Sequence, residues 1–575
     1  MSGGQRDRRP SAVFSALSKS RGGFITAIVF SLFINLLAFV GSIYMLQIYD
    51  RVITSRNELT LILITLIAAF LLVVYALLEK FRSAVLVRVG MEFNDNLRDD
   101  VFKGAVRGTL YAPGAGHGQS LRDLDNLREF LTGTGFITFF DAPWVPIFVA
   151  ACFLLHPWFG YVALGGGVLI FALALLNELV TRKPLSASAQ NSLSANNFMS
   201  STLRNVEVIQ AMGMAGAIRE RWKGKHDKAI GWQANASDRS GLLVASTKFV
   251  RQFLQIFILG VGAYLTIKQE VTGGAMIAAS ILMGRALAPV EAAVGSWRSF
   301  VNARLGASRI NQLLAATGGS QRYVQLPEPK GAVALEGVTA GPPGSHSAIL
   351  NNVTFAVQAG ETVGVIGPSA AGKSSLARVM VGVWPTLAGA VRLDGSELSH
   401  YDPDQLGRSI GYLPQDVELF GGTVAENIAR LGKVDDAKVI AAAQLAGVHE
   451  MIQGLPKGYN TQIGEGGSAL SGGQRQRIGL ARAIYDMPAL VVLDEPNSNL
   501  DSDGEAALLN AINTLKEAKR TVIVVTHKTN ILAVADKIVL MAGGRVQGFG
   551  PRDAILSKLV APANAAQIRR VATTS

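Results

Sequence analysis

Gly367-Pro368-Ser369-Ala370-Ala371-Gly372-Lys373-Ser374 follows a short apolar run, residues 362–366, and opens a stretch with helical spacing. It is a full match to the phosphate-binding loop pattern. Glycines let the backbone curl so that successive N–H groups point at phosphate oxygens, and the helix behind them aims its positive end at the same charge. Lys373 is placed to reach the β and γ phosphates of a nucleotide, Ser374 to ligate Mg²⁺, and Ser375 to lie beside them. The cofactors expected are therefore ATP and Mg²⁺.

Around this loop, short β-type runs at residues 362–366, 490–493 and 521–526 alternate with helical patterns. That alternation predicts a mostly parallel sheet with ligands at the carboxyl ends of its strands. The second run ends in two acids. Asp494 is placed to hold the metal's water shell, and Glu495 to act as the base that polarises an attacking water. Between the two elements stands Leu470-Ser471-Gly472-Gly473-Gln474, followed by a basic helical stretch. Read alone, it is either a helix start offering N–H groups to an anion or an ordinary N-cap.

Upstream of residue 301 the chain changes character. The 575 residues are 49% hydrophobic and only 17% charged, against roughly 25% charged in a soluble domain. Residues 22–49 and 59–78 carry no charge, and each is long enough to cross a ~30 Å hydrocarbon core as a helix. The first is too long for the apolar region of a signal peptide. A third charge-free stretch, residues 142–177, is broken by His156 and Pro157 and reads as helix, turn, helix, with the third span starting near Phe136. Weaker candidates at 252–267 and 271–294 complete a set of six spans with both ends inside.

Charge supports that topology. Lys plus Arg (54) against Asp plus Glu (42) leaves +12, and the excess gathers at Arg6, Arg8, Arg9, Lys19 and Arg21 and again at Arg219, Arg221, Lys223, Lys225 and Lys228. Both groups would be cytoplasmic under the positive-inside rule. Residues 79–135 and 178–251 are either soluble insertions or helical continuations of the spans; their low proline content favours continuations. Asp141 and Arg285 fall inside apolar spans, where they either snorkel to head groups or line a water-filled path as a pair. The single cysteine, Cys152, excludes an intrachain disulfide and a multi-thiolate zinc site.

The pentapeptide 470–474, in its order and spacing with the phosphate loop and the paired acids, resembles the signature sequence of ABC ATPases. The implied fold is an all-α six-helix transmembrane domain of ABC exporter type fused to an α/β P-loop ABC nucleotide-binding domain. The expected organisation is a basic N-terminus (1–21), the spans with cytoplasmic extensions (22–310), a linker (311–331), the ATPase domain (332–561) and a tail (562–575) that carries no readable motif. By the same resemblance Gln415 matches the Q-loop and touches Mg²⁺, His527 matches the switch histidine, and Ser498-Asn499-Leu500-Asp501 matches the D-loop. One phosphate loop and one signature per chain imply a homodimer, with Ser471 and Gly473 acting on the partner's nucleotide. Where many ABC exporters stack an aromatic ring on adenine, this chain has Pro342, so loose nucleotide selectivity is expected.

Residues 139–147, 281–289 and 465–474 further resemble the type I protein secretion transporters of Gram-negative bacteria, in particular the protease and lipase exporters. That resemblance implies a bacterial inner-membrane protein exporting unfolded proteins with uncleaved C-terminal signals. Its partners would be a periplasmic membrane fusion protein and a TolC-type outer-membrane channel. Only residues 1–21 precede the first span, which leaves no room for the peptidase-like domain of haemolysin-type relatives; substrate cleavage is not expected. The alternative cargo is a lipid or small hydrophobic molecule. A DNA-handling ATPase is excluded, since such proteins lack spans and separate their nucleotide motifs by a long coiled coil rather than ~100 residues. A dead scaffold is opposed by Glu495 and His527. The sequons at Asn235 and Asn352 would face the cytoplasm and imply no glycosylation.

Overall fold

The computed structural model describes residues 11–112, 118–318, 325–345, 347–467 and 469–557. Arg6, Arg8, Arg9, part of the 311–331 linker, Ser468 and the 562–575 tail lie outside them. The chain divides into two compact units, Met1–Ser320 and Gln321–Ser575.

Among the described residues of the first unit, six helices are long and apolar enough to cross a membrane: Arg21–Ser55, Glu58–Tyr111, Thr134–Leu155, Pro157–Leu203, Ala215–Ile267 and Gly273–Gly295. Local chemistry sets their ends. After the first span Arg56 takes a left-handed φ of 51°, and Asn57 then caps the second by accepting from Thr60 N at 3.0 Å. His156 is extended and accepts from Trp158 N at 3.3 Å, while Pro157 occupies the first helical turn, where its missing N–H has no cost. Thr272 caps the sixth span through Ala275 N at 3.1 Å. The break between the third and fourth spans thus falls where His156 and Pro157 predict it.

The second helix has 54 residues, about 80 Å at 1.5 Å per residue, well over twice the ~30 Å apolar core. It runs unbroken past the charge-free stretch, as do the fourth and fifth. Along its apolar part large side chains such as Leu59, Leu66 and Phe70 are exposed, as a lipid-facing surface requires. Helices approach closely where side chains are small: a Cβ on Gly166 would meet Leu254 Cδ1 at 2.6 Å, and one on Gly262 would meet Met276 Cγ at 2.4 Å.

Of the two readings given above for Asp141 and Arg285, the one that joins them as a pair is wrong. Asp141 Oδ1 accepts from Arg82 Nη1 at 2.7 Å and from Asn35 Nδ2 at 3.0 Å. Arg82 is buried and also donates to Ser31 Oγ at 2.9 Å. Arg285 is exposed, and no ion pair joins it to Asp141 among the described residues. Helix packing selected a partner from the second span, because the buried Arg82 needs the nearest carboxylate to offset its lost hydration, and the half-buried Asp141 supplies it.

The second unit holds two sheets. Strands β1 (Val333–Ala340), β2 (Leu350–Val357), β4 (Thr386–Leu393) and β5 (Ser396–Glu397) form an antiparallel sheet in the order β2-β1-β4-β5. With β3 (Thr362–Ile366), β6 (Ile410–Leu413), β7 (Leu490–Asp494), β8 (Thr521–Val525), β9 (Lys537–Ala542) and β10 (Arg545–Pro551), the other has the order β10-β9-β3-β8-β7-β6. Its members are parallel except for β10. Every residue of β3, β7 and β8 is buried, the continuous apolar pattern of strands covered on both faces. The order β3-β8-β7-β6 brings four carboxyl ends to one edge, so residues distant in sequence meet there.

Candidate active site

Strand β3 delivers the phosphate loop. Gly367 has φ +154°, and a Cβ there would lie 2.2 Å from the carbonyl oxygen of Met541; Gly372 has φ +95° and caps the helix Lys373–Met380. Both conformations need glycine. Pro368, Ser369 and Ala370 are exposed at the tip of the loop, whereas Ala371 and Ser375 are buried behind it. Lys373 curls back, its Nζ donating to the carbonyl oxygens of Gly367 and Pro368 at 3.0 Å each. Its ammonium is therefore held against the backbone of the loop.

Strand β7 ends in Asp494, fully buried, whose Oδ1 accepts from Ser374 Oγ at 3.1 Å and whose Oδ2 has no hydrogen-bond partner. Burial pushes this carboxyl above its usual range, the charge of Glu495 adds to the push, and the Ser374 hydroxyl opposes it. A buried, half-satisfied carboxylate beside a hydroxyl is a poor arrangement unless a cation completes it. The donor set fits Mg²⁺: a hydroxyl and a carboxylate, with the amide of Gln415 two residues past the end of the neighbouring strand β6, supply hard oxygen ligands. No group of three or more His, Cys, Asp or Glu forms a metal cage among the described residues, and Mg²⁺ at a phosphate site needs only one or two protein carboxylates.

The parallel register pairs Asp494 with Val525, which sets Glu495 beside the turn that follows β8. Glu495 has φ +48° and its N donates to Val525 O at 3.0 Å, so its backbone is held while its side chain turns back across the strand ends. Glu495 Oε2 accepts from Gln415 Nε2 at 3.1 Å, and Oε1 lies 3.6 Å from His527 Nε2. Gln415, Glu495 and His527, read from three places in the sequence, are thus contiguous with Ser374 and Asp494.

Ser471, Gly472, Gly473 and Gln474 are placed differently. Ser471 and Gln474 form a reciprocal capping box, Gln474 N to Ser471 Oγ at 3.2 Å and Ser471 N to Gln474 Oε1 at 2.9 Å. A Cβ on Gly473 would lie 2.8 Å from Asn499 O, so this glycine permits the 498–501 turn to approach. Asp501 caps the helix Ser502–Glu517 through Gly504 N at 2.9 Å and accepts from Arg477 Nη2 at 3.0 Å. The Gly504 hydrogen bond, with help from Arg477, holds the Asp501 carboxyl below the usual range. Within one chain these residues contact each other and the 498–501 turn.

Two features had no legible signal. Lys528 pairs with Glu505, to which Asn530 Nδ2 also donates at 3.3 Å, and this anchors the turn carrying His527. Arg430 donates to the carbonyl oxygens of Gly407 (2.7 Å), Ile410 (3.2 Å), Arg482 (3.0 Å) and Ala483 (3.0 Å). It thereby ties the start of β6, which leads to Gln415, to the end of the helix Gly472–Ile484. Burial pushes its guanidinium below the usual range, and Arg482 adds to the effect.

A phosphate loop, a buried Asp followed by a partly exposed Glu, a glutamine and a histidine at adjacent strand ends, carried with six membrane-spanning helices, define an ABC transporter with ATPase activity. Residues 350–498 match the ABC transporter family model and residues 24–288 match the ABC transporter transmembrane region. The chain is 42% identical over 550 residues to the type I secretion system ATP-binding protein PrsD of Rhizobium meliloti (strain 1021), covering 95% of this chain and 94% of that one. It is 28% identical to the leukotoxin translocation ATP-binding protein LktB of Mannheimia haemolytica, covering 94% of this chain and 77% of that one. A bacterial Atm1-family ABC exporter with ATP bound shares the fold, with a TM-score of 0.79 at 23% identity over 95% of this chain and 98% of that one. This chain belongs to the ABC transporters of type I secretion systems.

Proposed function

We propose that this chain is the ATP-driven engine that moves an unfolded polypeptide with a C-terminal signal out across the bacterial inner membrane. It works as a homodimer in which Ser471 and Gly473 of one copy close on the phosphate loop of the other. A periplasmic membrane fusion protein and a TolC-type outer-membrane channel continue the path. The N-terminus and the ATPase unit face the cytoplasm, and the domain limits are those read from the sequence. The observation that carries this reading is Glu495 held between Gln415 and His527 beside the Ser374–Asp494 pair, on a chain with six spans.

In hydrolysis the loop N–H groups and Lys373 hold the β and γ phosphates. Glu495, oriented from both sides, accepts the proton of the attacking water, and His527, 3.6 Å from the same carboxylate, is the residue to contact the γ-phosphate. Mg²⁺, when bound, neutralises charge between the phosphates, with Ser374, Asp494 and Gln415 as the residues to hold it. The test is ATP turnover by the reconstituted homodimer with and without a candidate cargo encoded beside it. Cargo-dependent turnover, lost when the cargo's C-terminal segment is removed, is expected; turnover indifferent to every protein cargo and responsive to a small hydrophobic compound would replace this reading.

A further inference from the structure

Three contacts fasten the helix Gly472–Ile484, which begins inside the 470–474 stretch, to the segment that follows Glu495. Gln476 is buried and donates from Nε2 to Pro496 O at 3.2 Å. Arg477 Nη2 donates to both carboxylate oxygens of Asp501 at 3.0 Å each. Gly473 lets Asn499 O approach to a place where a Cβ would be only 2.8 Å away.

The same segment is fastened on its other flank to the turn that carries His527. Thr526 is buried and donates from Oγ1 to Asn497 Oδ1 at 3.4 Å, and Lys528 N donates to that same hydroxyl at 3.1 Å. Beyond the histidine, Lys528 Nζ and Asn530 Nδ2 both donate to Glu505. Glu505 N donates to Asp501 O at 2.9 Å, so the two acids stand one turn apart at the start of the helix Ser502–Glu517. That helix buries Leu508, Ala511, Ile512 and Leu515, and its close-packed face keeps the first turn from moving alone. Lys528 hydrogen-bonds Glu505 and holds its carboxyl below the usual range. An ion pair with a half-exposed lysine adds little to stability; what it fixes is the position of the turn.

We propose that Glu505, acting through Lys528 and Asn530, is a positioning residue for His527, and that residues 496–505 form a rigid link between the signature stretch and the switch histidine of one chain. The inference rests on the homodimer reading above. Ser471 and Gly473 meet the partner's nucleotide, whereas His527 serves the nucleotide on its own phosphate loop. Closure on one nucleotide therefore sets the histidine at the other, and the two sites turn over cooperatively.

ATP turnover by the full-length protein in nanodiscs, measured against ATP concentration, tests the link, and native mass spectrometry of the same samples counts the copies. The wild-type dimer is expected to give a Hill coefficient of about 1.5 or more. Glu505→Gln should bring it to about 1 and lower kcat about tenfold, the scale of one charge-assisted hydrogen bond, with half-saturating ATP changed less than about twofold. Lys528→Met should do the same, and the two substitutions together should cost no more than either alone. Arg477→Gln, at the far end of the link, should also remove the cooperativity. A pair that merely braced the fold would lower the melting temperature and leave the Hill coefficient where it was. A dimer without cooperativity, or one whose cooperativity survives Glu505→Gln and Lys528→Met, overturns the link and leaves the homodimer standing. Full turnover by a single copy overturns the homodimer reading and the link with it.

Discussion

Arg82 donates to Asp141 at 2.7 Å from a position only 2% exposed, and this ion pair, with Ser31 and Asn35, ties the first three spans together. Removing one member leaves the other charged and uncompensated in an apolar setting. Arg82→Ala or Asp141→Asn alone should each destabilise the detergent-solubilised protein by about 3 kcal/mol or more, whereas Arg82→Met with Asp141→Leu should recover most of the loss. Thermal unfolding of the wild type, Arg82→Met, Asp141→Leu and their combination gives the cycle. Additive losses in the double variant would mean that the two side chains do not act as a pair.

For Glu495 the expected consequence is kinetic. Glu495→Gln keeps the shape and the contact with Gln415 but removes the proton acceptor, so turnover should fall about 100-fold or more while ATP still binds. Nucleotide binding and phosphate release measured on the same sample decide it. Undiminished hydrolysis would reject the assignment of the base.

Asp494, proposed above to hold Mg²⁺, also bears on stability. Its carboxyl is raised by burial, so the ionised form opposes folding at neutral pH; the opposition fades as pH falls through the folded-state pKa and is gone below the unfolded value. Asp494→Asn should accordingly raise the melting temperature at pH 7 in the absence of divalent cation. Mg²⁺ with nucleotide should stabilise the wild type more than the variant. An equal Mg²⁺ shift in both proteins would take Asp494 out of the metal site.

Arg430 should prove as important to folding as any core side chain. Arg430→Leu strands four carbonyl groups that its guanidinium now satisfies and should cost about 3 kcal/mol or more. Arg430→Lys has the charge without the planar fork and should recover less than half. Equilibrium unfolding of the full chain measures both; full rescue by lysine would show that charge alone matters.

Nucleotide selectivity follows from Pro342. Its carbonyl oxygen accepts from Ser345 N at 3.0 Å, forming a turn, and position 342 offers no aromatic ring to stack on a base. Stacking beyond simple burial contributes about 0.5–1.5 kcal/mol, so kcat/KM for ATP and GTP should agree within about tenfold. Competition between the two nucleotides in one assay is the measurement, and a preference of 100-fold or more for ATP would require another adenine contact.

Local chemistry made much of this protein readable from its residues alone. Gly367 and Gly372 are demanded by the backbone of the loop they build, charge-free runs by the thickness of a bilayer, and the break at His156-Pro157 by proline's missing N–H. Each depends on neighbours in the chain. The 470–474 stretch was half legible: its glycines were evident, but the capping box and the approach of Asn499 to Gly473 were not.

What the tertiary structure alone decided are the partners. Snorkelling or a pair with Arg285 were the two readings of Asp141, yet helix packing put Arg82 within 2.7 Å, because packing selects whichever cation the facing helix supplies. Ser374, Gln415, Asp494, Glu495 and His527 meet only because the strand order is β3-β8-β7-β6, and Arg430 found its four carbonyls only after β6 and the helix Gly472–Ile484 were laid side by side. Sequence specifies the groups that local geometry and solvent demand; which distant groups touch is settled by the packing that buries them together.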